Sequence, residues 1–257
     1  MTKEPRLLEE EAHSLIAEQK YEEAFPLFKR AAYGYKETAN HKQAALCFAS
    51  AASCWSIKSG EKTFYNSASS YEMAAKEAET SHDLDYASVL YRYAAINYEK
   101  DGEFFSFSDC FYRSKECYRR FLTHYLINPR KADVIEDGRE ARKISFGKGL
   151  VLWLVLTASY LVWGHGEKPS RTFYSVLAII VLTATLHTMG YLTSNGVVFR
   201  PNFLQALYLS VVTFTTVGYG DITPIGLTKI VANLEALSGI FIMPLFIISL
   251  SRKYLRM

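Results

Sequence analysis

The segment TTVGYGD occupies residues 215–221 and lies between apolar stretches in the second half of the chain. Gly218 and Gly220 favour neither a helix nor a strand, although the flanking sequence is typical of a membrane-embedded region. Irregular backbone is tolerated at membrane depth only where it is buried in protein or lines a water-filled path. The glycines therefore predict a specialised loop, in which alternating backbone handedness can aim successive carbonyl groups in one direction.

The distribution of charge divides the 257-residue chain into two parts. Residues 1–148 contain 22 Lys and Arg and 23 Asp and Glu, whereas residues 149–257 contain only 7 and 3. The first part has the composition of a soluble domain and the second that of a membrane domain. The net charge of +3 gives no indication of a nucleic-acid partner. The charged N-terminus lacks the apolar core of a signal peptide, so we expect the first part in the cytoplasm.

Two of the apolar stretches, residues 172–192 and 230–250, are long enough to cross a membrane. Residues 149–164 would form a helix of about 24 Å, which is short of the ~30 Å hydrocarbon core. Basic residues flank this stretch on both sides, so we expect residues 149–168 to form an interfacial or re-entrant helix; a third full span is the alternative.

Basic residues before the outer span and after the inner span predict a multi-pass protein of the plasma or bacterial inner membrane, with both termini cytoplasmic.

Residues 203–215 are apolar but too short to span, and they run directly into the glycine loop. Asn202 is a candidate N-cap with Gln205 at the N3 position, which predicts a short helix beginning there. Its negative C-terminal end would favour a cation near Thr215.

The order of short helix, TVGYG, acidic residue and inner span resembles the pore domain of two-span potassium channels over residues 170–253. This resemblance implies a tetramer in which four loops surround one axis. It also implies that K⁺, as permeant ion and without any other cofactor, is bound by carbonyl groups of the filter at residues 216–220. Matched position by position, the resemblance implies that the K⁺ ligands are the carbonyls of Thr216, Val217, Gly218 and Tyr219. Gly220 completes the filter, and the Thr216 hydroxyl completes the innermost ion site.

The same resemblance assigns roles around the filter. The Tyr219 ring would lean against pore-helix aromatics such as Tyr208, Asp221 would lie at the outer mouth, and Thr215 would support the filter from the end of the pore helix. Val212 occupies the position at which one well-known bacterial pattern has Glu paired with the mouth Asp. The Tyr208 hydroxyl is therefore our candidate partner for Asp221.

The inner span contains two expected points of flexibility. Gly239 falls where inner helices of such channels often bend, and Pro244 removes a helical hydrogen bond. Met243, Ile247 and Ser251 share one face because they follow at four-residue spacing. By resemblance this face lines the cavity and the inner gate; the alternative for Met243 and Ile247 is packing against the outer helix.

Two ionisable residues stand out in the apolar spans. Glu235 is the only acidic or basic residue within the inner span, and such residues usually face the protein interior. We expect it to support the filter from behind; the alternative is a solvated position near the outer surface. His187 lies near the outer end of its helix, and a metal or pH role is an alternative to a structural one.

The soluble part contains a repeat of paired alanines, each pair preceded by an aromatic residue three or four positions earlier. The pairs lie at residues 31–32, 51–52, 74–75 and 94–95. Small residues let neighbouring helices approach, so the period predicts stacked helix pairs. The pattern resembles the long-helix tetratricopeptide-type array of soluble NSF attachment (SNAP) proteins over residues 7–125. The domain would be either a structural or oligomerising module or a binding site for a protein or small ligand.

Taken together, these patterns predict an all-α fold with an N-terminal α-solenoid at residues 1–127, a linker at 128–148 and a pore domain at 169–257. Within the pore domain we expect an outer helix at 172–192, a pore helix at 203–215 and an inner helix at 228–251. We expect a homotetrameric, lipid-embedded potassium channel without a voltage sensor, regulated through its repeats. A membrane-anchored adaptor is the alternative, and no catalytic constellation indicates an enzyme.

Overall fold

The computed structural model describes residues 4–57, 63–127 and 145–254. The chain divides into two compact units, Met1–Thr157 and Ala158–Met257. The predicted linker falls mostly on residues 128–144, which lie outside the described residues.

Six helices of the described residues lie wholly within the first unit, and each packs against the next along the chain. They are α1 (Pro5–Ala17), α2 (Tyr21–Glu37), α3 (His41–Ile57), α4 (Thr63–Thr80), α5 (Leu84–Asp101) and α6 (Phe104–Ile127). The boundaries of α5 have local causes: the Asp83 side chain accepts a hydrogen bond from the Tyr86 N–H at its start, and Gly102 ends the helix at a φ of 85°.

The alanine pairs form the centre of this unit. All eight of their side chains are at most 1% exposed, as are the aromatic residues Phe28, Phe48 and Tyr91. Alanine at these positions permits close approach of successive helices, and the aromatic rings fill the space beside them. Helix order and core therefore agree with stacked helix pairs, whereas the solenoid assignment and the likeness to SNAP proteins stay predictions.

Helix α7 (Phe146–Trp163) begins three residues before the predicted position and continues into a 3₁₀ turn at Gly164–Gly166. Phe146–Gly166 is 21 residues long and apolar enough to cross a membrane, as are two further helices among the described residues. The length argument against a third span therefore no longer holds, because the 16-residue apolar stretch is only part of a longer helix. The interfacial placement of residues 149–168 stays a prediction.

After the end of α7 and the 3₁₀ turn, the described part of the second unit contains three complete helices and a small sheet. The helices are α8 (Pro169–Thr188), α9 (Phe203–Phe214) and α10 (Thr228–Tyr254), and the strands are β1 (Leu192–Ser194), β2 (Val197–Phe199) and β3 (Thr223–Pro224). The strands are antiparallel in the order β2-β1-β3, with Leu192 opposite Phe199 and opposite Pro224.

The described residues are mostly helical, as predicted, and this small sheet is an addition that the all-α expectation did not include. Its β1–β2 hairpin turns at Asn195 and Gly196, whose φ angles are 51° and 81°. Two consecutive positive φ angles are what a tight type I′ turn requires, and Asn-Gly is the sequence that favours it. The signal was present in the sequence, but strands of three residues are too short to produce a visible alternation.

The helix ends also differ from expectation. The outer helix begins at Pro169, since proline needs no backbone donor in a first turn, and it ends at Thr188 rather than 192. The chain then turns at Gly190, where a Cβ would come within 2.3 Å of Thr228 Cγ2. The inner helix runs three residues beyond the predicted 251, to Tyr254.

Candidate ion-conduction site

The short helix α9 leads into the glycine loop through hydrogen bonds at both of its ends. The predicted capping box is confirmed: Asn202 Oδ1 accepts from the Gln205 N–H at 2.9 Å, and Gln205 Oε1 accepts from the Asn202 N–H at 3.0 Å. At the other end the Val212 carbonyl accepts from the N–H groups of Val217 and Gly218 at 3.0 and 3.3 Å. The last turn of α9 therefore holds the start of the loop in place.

The loop backbone alternates in handedness. Thr216, Gly218 and Gly220 have φ angles of 59°, 59° and 77°, whereas Val217 and Tyr219 between them are not at positive φ. Sequence reasoning assigned positive φ only to the glycines, and the structure adds Thr216, for which this conformation costs about 1–2 kcal/mol. A strained residue persists where the surroundings hold it, and here the Thr216 N–H donates to the Thr213 carbonyl at 3.0 Å.

The end of the loop is joined to α9 by a side-chain contact. The Tyr208 hydroxyl donates to the Asp221 carboxylate at 2.9 Å, which is the pairing that the absence of an acid at position 212 suggested. Thr215, the C-cap of α9, donates its hydroxyl to the Val211 carbonyl at 2.7 Å. The Tyr219 side chain is 71% exposed within the single chain.

The inner helix turns one mainly small and polar face to the rest of the unit. Its buried residues follow at intervals of three, four and finally seven positions, which keeps them on one face: Thr228, Ala232, Glu235, Gly239, Ile242 and Ser249. A Cβ on Gly239 would lie 2.0 Å from the Phe214 carbonyl oxygen, so this glycine lets the inner helix approach the end of α9. The helix is continuous through Gly239 and Pro244, and the structure therefore gives Gly239 a packing role that the hinge interpretation did not include.

A different face of the inner helix carries the predicted cavity residues. Met243 and Ile247 are 41% and 65% exposed, and Ser251 is half-buried. Most of the Ile247 side chain is therefore uncovered within the chain, whereas more than half of Met243 is covered. The cavity-lining role of this face and the alternative of packing against the outer helix stay predictions.

Glu235 lies in the interior of the unit, so the solvated alternative is wrong. Its side chain is fully buried, and its carboxylate is hydrogen-bonded to the Thr183 hydroxyl and lies 3.3 Å from His187 Nε2. Thr183 Oγ1 is in turn 3.2 Å from Ser210 Oγ on α9. This polar cluster (Thr183, His187, Ser210 and Glu235) joins the outer helix, α9 and the inner helix.

Sequence reasoning named Glu235 and His187 separately and missed Thr183 and Ser210. Thr183 and His187 lie four residues apart on one helix, so they were recognisable as polar neighbours on one face. Nothing in the sequence could pair them with Glu235, because the contact depends on how three helices pack.

Two arginine side chains contact the turn between α7 and α8 and its flanking residues. The Arg171 guanidinium lies 4.2 Å from the centroid of the Tyr160 ring and donates to the Tyr160 carbonyl at 2.8 Å. Arg252, near the end of the inner helix, lies 3.4 Å from the Glu167 carboxylate. The second contact links the start of the outer span to the end of the inner helix.

Sequence comparison with known proteins finds matches to a family model and to two curated proteins. Residues 170–256 match a family model described as an ion channel. The chain is 52% identical over 45 residues to Protein LctB of Bacillus caldotenax and 50% identical over 45 residues to Protein LctB of Geobacillus stearothermophilus. Each match covers 18% of this chain and 33% of the relative, so the chain spans only that third of these curated proteins.

No solved structure matches the chain. The family match covers α8 from its second residue, α9, the glycine loop and α10. Three described helices are apolar and long enough to span a membrane, and two of them lie in the matched region. Residues 170–256 therefore form an ion-channel domain of a membrane protein, a class without enzymatic activity.

Proposed function

We propose that the protein is a potassium-selective channel whose filter is formed by residues 216–220. The observation that carries this proposal is the alternation of positive φ at Thr216, Gly218 and Gly220 directly after a short capped helix. Alternating handedness directs consecutive carbonyl oxygens to the same side of a strand, and such a row can replace the hydration shell of K⁺. The carbonyls of residues 216–219 are the proposed ligands.

Four copies of the chain surround the proposed pore. One chain supplies a single row of carbonyls, which cannot enclose an ion without others. Val217 and Tyr219 are 53% and 71% exposed, and so is much of the apolar inner-helix surface, including Ile240 and Phe241 at 55% and 68%. Contacts between subunits and with lipid would cover these side chains. Both termini would be cytoplasmic, with Asp221 at the extracellular mouth.

Selectivity tests this proposal directly. Purified full-length protein in planar bilayers under opposing K⁺ and Na⁺ gradients should give a reversal potential close to that of K⁺, because the carbonyl row fits the dehydrated K⁺ ion. Currents that reverse with the Na⁺ gradient, or that do not distinguish the two ions, would overturn the proposed function.

We also propose that helices α1–α6, the six-helix unit, regulate the channel. It precedes α7, and the turn that follows α7 is joined to the end of the inner helix by the Glu167–Arg252 contact. A partner that binds the six-helix unit differently in two states could shift the pore equilibrium through this connection. The partner would be a protein or small ligand.

Removal of residues 1–130 should change the open probability and leave the reversal potential unchanged. The filter and its supports all lie after residue 180, so selectivity does not need the removed part. Single-channel recording of truncated and full-length protein in the same bilayer composition measures both quantities. If the truncated and full-length proteins have equal open probabilities, both with and without a cytosolic extract, the six-helix unit serves only in assembly or anchoring.

A further inference from the structure

The Thr183 hydroxyl lies where α8, α9 and the inner helix meet. It is hydrogen-bonded to the Glu235 carboxyl group on the inner helix, and its Oγ1 is 3.2 Å from Ser210 Oγ on α9. Within its own helix it reaches the carbonyls of Ile179 and Ile180 at 2.9 and 3.2 Å. The three helices also pack against one another in pairs. A single hydroxyl therefore joins the outer helix to both of the helices that pack on it.

The groups that meet at this hydroxyl are buried. Thr183 is 8% exposed, Ser210 is fully covered and Glu235 is 1% exposed. Among the twelve residues of α9, all of them described, Ser210 is the only polar residue that is buried. A buried hydroxyl without a hydrogen-bond partner is costly, so these side chains depend on one another for their hydrogen bonds.

These hydrogen bonds fix how α9 lies along the inner helix. Ser210 and Phe214 are one turn apart on α9, and Glu235 and Gly239 are one turn apart on the inner helix. The first level is joined through Thr183, whereas the second is the close approach of Gly239 to the Phe214 carbonyl. Packing brings the helices together without a preferred direction, but hydrogen bonds are directional. The polar level therefore sets the axial position of α9.

The proposed row of K⁺ ligands is attached to the same part of α9. Val212 lies between the two levels, and its carbonyl accepts from the N–H groups of Val217 and Gly218 at 3.0 and 3.3 Å. A binding constellation must be held to within about 0.5 Å by the groups behind it. A displacement of α9 along the inner helix would therefore move the carbonyls of residues 216–219 away from the positions that suit K⁺.

We propose that Thr183 is a positioning residue for K⁺ selectivity, an inference that rests on the proposed function. Its hydroxyl holds α9, and with it the filter, in register with the inner helix. Thr183 acts through Ser210 and Glu235 rather than on the ion itself. Glu235, which we expected to support the filter from behind, does so through this hydroxyl.

Thr183→Val should lower the K⁺ over Na⁺ permeability ratio about fivefold. Valine keeps the shape of the side chain and removes only the hydroxyl, and a factor of five corresponds to about 1 kcal/mol, the net size of a typical hydrogen bond. Thr183→Ser keeps the hydroxyl and should restore the wild-type ratio. Reversal potentials of full-length channels in planar bilayers under opposing K⁺ and Na⁺ gradients provide the measurement, and size exclusion shows that each variant has assembled as a tetramer.

Two further variants serve as control and as second test. Thr185→Val makes the same change two residues away, at an exposed position whose hydroxyl bonds to the Val181 carbonyl of its own helix at 2.8 Å, and it should have the wild-type ratio. Ser210→Ala removes the link from the α9 side and leaves the contact between Thr183 and Glu235. It should lower the ratio in the same direction, and it decides the question if Thr183→Val does not assemble.

Assembled Thr183→Val channels with the wild-type ratio would overturn this inference, because the hydroxyl would then have only a structural role. An equal loss of selectivity in Thr183→Ser or in Thr185→Val would overturn it as well, as would a wild-type ratio in Ser210→Ala. All of these results leave the proposed function standing, provided that the wild-type channel is K⁺-selective in the same bilayers. A wild-type channel that does not distinguish K⁺ from Na⁺ would overturn both.

Discussion

Gly218→Ala should abolish K⁺-selective conduction. Gly218 has a φ of 59°, a region in which alanine is strained by about 1–2 kcal/mol per residue. Relief of this strain would rotate the peptide and turn a carbonyl away from the common side. Each of the four subunits would then lose one carbonyl ligand from its row. The K⁺ over Na⁺ permeability ratio should fall by about tenfold or more, because a strain of about 1.4 kcal/mol corresponds to a factor of ten. Reversal potentials under opposing gradients provide the measurement.

A matched control separates filter geometry from general backbone strain. Gly226 has nearly the same φ, 60°, and at both glycines a Cβ would meet no atom within 4 Å. Gly226→Ala therefore introduces equal local strain outside the filter, and its channels should remain K⁺-selective. If both variants conduct with the wild-type reversal potential, the backbone of residues 216–220 does not determine selectivity.

Gly239→Ala should prevent assembly of a working pore, although the change adds only a methyl group. The new Cβ would lie 2.0 Å from the Phe214 carbonyl oxygen, and both atoms belong to helices that cannot yield locally. Overpacking against backbone costs about 1–3 kcal/mol, and here we expect a loss at or above the upper end of that range. Tetramer recovery and thermal stability in detergent measure this effect, together with the loss of current.

The result distinguishes two interpretations of Gly239. A glycine that serves only as a hinge would tolerate alanine in the folded state, and the variant would assemble normally with altered opening. Ser238→Ala is the control at the adjacent position, because it removes a hydroxyl that is bound to the helix's own Glu235 carbonyl. A Gly239→Ala channel as stable as Ser238→Ala would contradict the packing role.

Local features of this protein were determined by the sequence itself. The capping box of α9, the start of α8 at Pro169 and the end of α5 at Gly102 follow from residue type and short-range spacing, because caps and helix breakers act within a few residues. The glycines at 218 and 220 predicted positive φ for the same reason. The Asn195–Gly196 hairpin belongs to this class as well, although the short strands concealed it.

Only the tertiary structure decided which distant residues meet. Glu235 lies 48 positions from His187 and 52 from Thr183, and helical periodicity places each residue on a face without naming the face opposite. The role of Gly239 shows the same limit, since a missing Cβ has meaning only when the atom that it makes room for, the Phe214 carbonyl oxygen, is known. Likewise, the positive φ of Thr216 arises because the end of α9 holds its backbone, against the preference of the residue itself.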